Sequence, residues 1–380
     1  MNQISIAIFV WGLRGDAIAN NASAMAQGFK DLGIERIYLI YLFEQPGKNV
    51  AIPQGVNLIS LGVKRSIFAP LALAKVLKKE QPDFLISMPT IINIPAIIGW
   101  KLAGNPSTKL VVSEHSTMSY KSHVEYNQDF RMRIMPWLAR RFYPLANGVR
   151  ANCEAVLDDL LTKIRIRVKP QQAITITNPV NVEAIANCSK APVAHPWLQH
   201  KDKPVILSVA RLAKQKNFPL LIEAFARVRQ KIDARLIIVG EGPERSALES
   251  LISELNLEDA VSVPGFSDNP WSYMSQADVF ALASEEEPFG LVIVEAMACG
   301  LPVIATDAMS GGPKTILDNG KYGTLVANHD PEALADAILE VLTDEDTKAH
   351  LVAAGHQRCQ TYRPEIIARQ WLAFLENLAT

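Results

Sequence analysis

The residues best suited to chemistry form two charged clusters of opposite sign in the second half of the chain. Glu285, Glu286 and Glu287 meet a Pro288-Phe289-Gly290 turn, and Glu295 follows Glu287 by eight positions. Residues 284–306 read as loop, helix, glycine stop and strand, with Cys299-Gly300-Leu301-Pro302 closing the helix before Val303-Ile304-Ala305. A helix entered through Gly290 presents the unpaired backbone N–H groups of Gly290, Leu291 and Val292, a seat for an anion such as a diphosphate. Carboxylates repel phosphate, so Glu287 and Glu295 flanking that seat need another purpose. Hydroxyl groups of a ribose and of a hexose supply one, because carboxylates accept hydrogen bonds strongly. The plainer reading is an amphipathic helix with solvated acids at its N-terminal end, where the helix dipole favours them.

The cationic cluster is Arg211 and Lys216, in the loop between the strand-like residues 204–210 and a helix over 219–231. Two cations at the end of a strand suit a diphosphate and can neutralise charge on a departing nucleotide without a metal. Gly240-Glu241-Gly242-Pro243 follows another apolar run, but Arg245 stands where a dinucleotide fingerprint needs its third glycine. A tight turn alongside a nucleotide fits that loop better. Gly12 and Gly15 also miss the fingerprint spacing, yet they lie between a strand and a helix, where backbone can approach a ligand closely. His115 follows Glu114 directly past the run 109–113. Just beyond a parallel strand's carboxyl end, a histidine is as well placed for catalysis as for structure. The other six histidines have no such context.

These groups need a scaffold, and the pattern predicts one. Apolar runs at 4–10, 37–42, 84–87, 109–113 and 173–177 alternate with helical stretches at 17–32, 70–80 and 94–102. The alternation restarts at 204–210, 236–239, 261–265, 277–282 and 303–305, and ends in helices at 331–342, from 346, and 363–378. Strand–helix alternation indicates parallel sheets covered on both faces, with ligands at the carboxyl ends of the strands. The expected class is α/β, two doubly wound Rossmann-like domains: residues 1–185 with a returning helix at 363–380, and residues 200–362. A proline-bearing, weakly patterned segment to about residue 204 is the expected hinge.

At 380 residues with 49% hydrophobic content, the chain can bury two ordinary cores. Its four cysteines show no Cys-x-x-Cys spacing, against a zinc site or a disulfide framework. No basic leader with a cleavage site opens the sequence, and the most apolar window, 90–104, is broken by Asn93, Pro95 and Lys101. The expectation is a cytoplasmic protein without a membrane anchor of its own. Charge is uneven: residues 1–190 hold 22 Lys/Arg against 13 Asp/Glu, the remainder 16 against 26. Such a split points to an anionic surface partner for the basic half, or to two independently evolved surfaces. Residues 130–150 interleave Arg131, Arg133, Arg140, Arg141 and Arg150 with Phe130, Trp137, Phe142 and Tyr143. That mixture suits a membrane-surface helix and equally a core helix with a solvated basic face.

The acidic segment, the stretch SVARLAKQKNFPLLIEAFA around Arg211 and Lys216, the 240–243 turn and Gly311-Gly312-Pro313-Lys314 together resemble retaining glycosyltransferases of the GT-B fold, in family 4. The resemblance is dense from about 204 to 326 and thinner before. It implies two Rossmann-like domains facing each other across a cleft, with the last helix crossing back to the first. It implies that Arg211 and Lys216 bind the donor diphosphate, Glu287 the donor sugar and Glu295 the ribose. Phe266 and the residues after it match a loop near the nucleotide base, Gly15 lies in a loop facing donor phosphates and acceptor, and Phe289 belongs to the signature's Phe-Gly turn. Gly240, Leu291 and Val292 complete the expected donor site, and His115 lies near the reacting sugar. Thr315 stands where many relatives carry Glu. The implied reaction is metal-independent and retains configuration, moving a hexose or N-acetylhexosamine from a nucleotide sugar, UDP-linked by expectation, to a glycan or lipid-linked acceptor. No resident cofactor, metal or nucleic acid is expected, and a lipid-linked acceptor would bring the basic half into peripheral membrane contact. The rivals are a GT-B enzyme of other chemistry, such as an epimerase or a phosphorylase with a pyridoxal-phosphate lysine, and a non-catalytic sugar-nucleotide-binding protein.

Overall fold

The computed structural model describes residues 4–14, 17–45, 50–104 and 107–379. It falls into two units, Met1–Pro179 with Tyr362–Thr380, and Val180–Thr361. The segment 180–199, read from sequence as part of a linker, carries short helices at Val182–Cys188 and Pro196–Gln199 and goes with the second unit.

The first unit holds β1 (Ser5–Val10), β2 (Arg36–Tyr41), β3 (Asn57–Ser60), β4 (Phe84–Ser87), β5 (Lys109–Glu114), β6 (Gly148–Ala151) and β7 (Ala173–Thr175). All pair in parallel in the order β3-β2-β1-β4-β5-β6-β7. Every residue of β1 is buried, as expected for a central parallel strand covered on both faces. Side chains alternate between two cores. Ile6, Ile8 and Val10 meet Met25 and Phe29 of the helix Ala17–Asp31 and Trp371, Phe374 and Leu375 of the last helix, Pro364–Ala379. Ala7 and Phe9 point the other way, toward Leu73 and Leu77 of the helix Ala69–Glu80 and Ile92 and Ile97 of Thr90–Ala103. The last helix comes so close to the first that a Cβ at Gly28 would lie 2.2 Å from the Pro364 carbonyl oxygen.

Two of these strands escape the hydrophobic pattern. β3 is an edge strand with polar ends and mostly exposed residues. β6 is four residues long and includes Arg150, which is fully buried. This corrects the sequence reading that grouped Arg150 with the basic, solvated face of residues 130–150: the helix there ends at Phe142, and the chain turns into the sheet.

The second unit repeats the plan with β8 (Val205–Val209), β9 (Arg235–Val239), β10 (Val261–Gly265), β11 (Val279–Leu282), β12 (Val303–Thr306) and β13 (Thr324–Val326), parallel in the order β10-β9-β8-β11-β12-β13. Phe225 and Val228 of the helix Phe218–Lys231 pack with Leu334 and Ile338 of Pro331–Thr343 and with strand residues Ile206 and Leu236. Each sheet reverses its winding beside its first strand, between β1 and β4 and between β8 and β11. Crevices at such reversals are where ligands bind in open α/β sheets. The loops after β8 and β11 are those of Arg211, Lys216 and the acidic cluster.

Candidate functional site

The loop after β8 turns through a short helix, Lys214–Lys216, and reaches left-handed backbone at Asn217 before the helix Phe218–Lys231. That turn sends Lys216 inward. Its Nζ pairs with Glu287 Oε2, the side chains being 19% and 9% exposed. Arg211 stands in solvent at the end of the strand, in no ion pair among the described residues.

The acidic loop after β11 is fixed by its backbone. The Glu285 and Glu286 N–H groups donate to the Gln215 carbonyl at 2.9 and 3.3 Å, which ties this loop to the Lys216 turn. The Glu285 and Glu287 carbonyls accept from Met309 N at 2.9 Å and Gly312 N at 3.1 Å. Of the three acids, Glu286 and Glu287 are buried, and Glu286 accepts from Ser310 Oγ, so it anchors the loop from within. Ser284 Oγ donates to Glu287 Oε2 at 3.3 Å, so that carboxylate oxygen faces a cation and a hydroxyl together.

Gly290 caps the helix Leu291–Ala298 at φ 89°, in the left-handed region. A Cβ there would sit 3.2 Å from Glu287 Cγ and from Ile293 Cδ1. Leu291 and Val292 are half-buried in the first turn, whose N–H groups have no partner within the helix. Phe289 places its ring in the core at 3% exposure, so it braces the turn and has only backbone to offer a ligand. Glu295 lies one turn into the helix, half-buried. Burial pushes its carboxyl above the usual range, and the nearby Trp271 indole opposes that rise.

Gly240 lies where two loops close on each other: a Cβ would come within 1.9 Å of the Ala210 carbonyl oxygen. Its glycine identity therefore follows from packing against the Arg211 loop. Phe266, just past β10, holds its ring 70% exposed. Lys314 pairs with Asp307 at 3.4 Å, and the Thr315 hydroxyl turns back to the Gly311 carbonyl at 2.8 Å.

In the first unit, Gly15 lies outside the described residues. His115 leaves the end of β5, with Nε2 3.0 Å from Ser113 Oγ. Its Nδ1 is out of solvent and has no hydrogen-bond partner among the described residues. Burial, then Arg150 and Lys121, hold the imidazole well below its ordinary range, so it is neutral at pH 7. Glu114 turns the other way, into the core, and accepts from Thr90 Oγ1 at 2.6 Å, Asn93 Nδ2 at 2.9 Å and the Tyr143 hydroxyl. Arg150 donates to Ser113 Oγ at 3.0 Å and to Asn178 Oδ1 at 2.9 Å, and Asn21 Nδ2 donates to the same Oδ1 at 2.7 Å. Sequence reasoning missed Ser113, Arg150, Asn178 and Asn21 because their partners lie up to 157 residues apart.

Among the described residues, no three His, Cys, Asp or Glu side chains gather into a group that could hold a metal ion. The loops after β8 and β11 of the second unit carry an exposed arginine in no ion pair among the described residues, a lysine–glutamate pair, a helix N-terminus and a second carboxyl within the helix. That set can accept a diphosphate and hydrogen-bond the hydroxyls on either side of it.

The family described as glycosyl transferases group 1 matches residues 194–358, and that described as Glycosyltransferase Family 4 matches residues 18–184. A Campylobacter jejuni N-acetylgalactosamine-N,N'-diacetylbacillosaminyl-diphospho-undecaprenol 4-alpha-N-acetylgalactosaminyltransferase is 32% identical over 275 residues, 72% of this chain and 71% of its own. A Bacillus anthracis N-acetyl-alpha-D-glucosaminyl L-malate synthase is 29% identical over 219 residues, 57% of each. Among solved structures, Anabaena HepE in complex with UDP-glucose shares the fold, with a TM-score of 0.75 at 22% identity over 98% of this chain and 100% of that one.

Proposed function

This chain belongs to the group 1 glycosyltransferases of family 4, with the GT-B fold, and on that premise we propose its reaction. It moves a hexose or N-acetylhexosamine from a UDP-sugar to a glycan or lipid-linked acceptor, retaining the anomeric configuration and using no metal. The observation that carries this is the Lys216–Glu287 pair joining the loops at the carboxyl ends of β8 and β11, with Arg211 exposed in the same loop as Lys216 and in no ion pair among the described residues.

Transfer breaks the bond between the sugar's C1 and the diphosphate oxygen, and the electron pair leaves with the nucleotide. The acceptor oxygen bonds to C1 and gives up its proton. The step is helped by whatever stabilises the departing negative charge in place. Arg211, Lys216 and the N–H groups at Gly290–Val292 form a preorganised set for that task. Glu287, neutralised by Lys216, can hold sugar hydroxyls without repelling the phosphates. Glu295 offers a carboxyl to the ribose, and the exposed Phe266 ring offers a face to the base. The two curated relatives above are named for N-acetylhexosaminyl groups, which favours an N-acetylhexosamine. UDP-glucose in the Anabaena structure makes UDP the first nucleotide to test.

The first unit is read as the acceptor side, in contact with an anionic membrane. Residues 1–179 and 362–380 hold 23 Lys/Arg against 14 Asp/Glu. Ile67, Phe68, Leu71, Phe130 and Trp137 stand exposed among Lys64, Arg65, Arg131, Arg133, Arg140 and Arg141. No helix of the described residues is long and apolar enough to cross a membrane. A surface of this kind binds in the headgroup layer.

Purified protein incubated with UDP-N-acetylhexosamines, UDP-glucose and GDP-mannose, plus lipid-linked glycan extract, tests the reading. Acceptor-dependent release of UDP, undiminished by EDTA and giving an α-linked product from an α-linked donor, is expected. Release of GDP alone, or loss of activity with EDTA, contradicts it. Nucleotide binding without turnover on any acceptor would favour a non-catalytic sugar-nucleotide-binding protein. Co-sedimentation with anionic vesicles, lost at high salt, tests the membrane contact.

A further inference from the structure

Ser113 is fully buried, and its hydroxyl touches two side chains: Arg150 Nη1 at 3.0 Å and His115 Nε2 at 3.0 Å. A guanidinium only donates, so toward Arg150 the Ser113 oxygen is an acceptor. The hydroxyl hydrogen then has His115 Nε2 as its acceptor. If Nε2 were protonated instead, it would also donate to Ser113, leaving two buried groups unmet, the serine hydrogen and Nδ1 as an acceptor, against the single Nδ1 N–H of the other tautomer.

We infer that Arg150 is a positioning residue that acts through Ser113 to fix His115 as the Nδ1-protonated tautomer, with that N–H directed to substrate. His115 Nδ1 has no partner among the described residues and is out of solvent, as expected of a donor whose acceptor arrives with the ligand. The choice of arginine follows. Asn or Gln at position 150 could present either an acceptor or a donor to Ser113, whereas Arg always donates. Its guanidinium is held in turn by Asn178 and by the Trp371 ring, whose centroid is 5.4 Å away, with no carboxylate among its described partners.

The charged groups around His115 agree with this role. Arg150 and Lys121 both disfavour the imidazolium, while the neighbouring Glu114 carboxyl is turned into the core and occupied by Thr90, Asn93 and Tyr143. His115 thus stays a neutral donor, suited to a sugar hydroxyl or a phosphoryl oxygen. The tautomer stands on the geometry alone; its use in transfer rests on the function proposed above.

The test is long-range ¹H–¹⁵N spectroscopy of the full chain labelled in its seven histidines, with His115→Gln assigning the signal. The free protein should show His115 neutral and protonated on Nδ1 at pH 7. Ser113→Ala, the smaller change, and Arg150→Met should each give a mixture of tautomers, and in Arg150→Met the ring should protonate at higher pH. Both variants should lower kcat several-fold with little change in KM for the nucleotide sugar, and Arg150→Met should move the acid limb of the pH–rate profile upward. An Nε2-protonated His115 in the wild type, or an unchanged tautomer in a folded Ser113→Ala variant, overturns the inference. The spectra use no substrate, so failure here leaves the UDP-sugar reading standing, and the reverse holds equally.

Discussion

Lys216 and Glu287 lie 71 residues apart and form an ion pair at the carboxyl edge of the second sheet. The lysine offsets the charge of an acid that stands beside the proposed phosphate seat, and both groups are held by the loops that carry them. Removing the cation leaves the buried Glu287 carboxylate, among the described residues, with only the long Ser284 hydroxyl contact at 3.3 Å. Lys216→Met should therefore lower unfolding free energy by about 3 kcal/mol, in the range for breaking a largely buried pair. Lys216→Met combined with Glu287→Gln should recover most of that stability in urea titrations. Neither variant should bind nucleotide as the wild type does.

Glu295 carries a different signature. Burial raises its carboxyl in the folded state, so the fold holds that proton more tightly than the unfolded chain does. Its contribution is most favourable at acid pH and is lost as pH rises from the unfolded value near 4.5 through the raised folded one. Glu295→Gln removes this penalty. The variant should melt above the wild type at pH 7, with the advantage vanishing toward pH 4, while losing stabilisation by nucleotide. A lower melting temperature at pH 7 would show that the carboxylate is needed for the fold itself.

Gly290 tests the helix entrance. An alanine there meets a left-handed backbone and contacts of 3.2 Å to Glu287 and Ile293. Gly290→Ala should cost about 1–3 kcal/mol as a strained left-handed residue. Because the shift falls on Glu287 and the first-turn N–H groups, turnover should fall more than tenfold even where the protein is fully folded.

Phe266 offers the opposite case. Its exposed ring supports no core, so Phe266→Ala should leave the melting temperature of the free protein unchanged. Loss of a base-stacking face should weaken nucleotide binding by about 1–3 kcal/mol, read by calorimetry.

Much of this architecture is written in the apolar runs. β1, β4 and β8 are buried throughout or nearly so, and parallel strands covered on both faces read as continuous hydrophobic segments. β3 is silent because an edge strand with exposed residues carries no such run. β6 is silent because Arg150 reads as surface, and its burial depends on Ser113, Asn178 and Trp371, which no local pattern links. In the candidate site, residue types and loop positions point to Arg211, Lys216, Glu287 and Glu295 from sequence alone. That Lys216 pairs with Glu287, that Glu286 anchors the loop through Ser310, and that Phe289 faces the core are outcomes of packing. They depend on contacts between β8, β11 and the turn after β12, which sequence spacing does not encode.

A nucleotide-diphosphate site in the second unit should show itself in thermal unfolding with UDP, GDP and ADP, using wild type, Arg211→Ala and Glu295→Gln. A ligand at about a hundred times its dissociation constant stabilises the folded state by roughly 2.7 kcal/mol. UDP should raise the melting temperature clearly, GDP and ADP less, and both variants should lose most of the UDP effect. A folded wild-type protein that no nucleotide stabilises, or variants that respond to UDP as the wild type does, would contradict such a site.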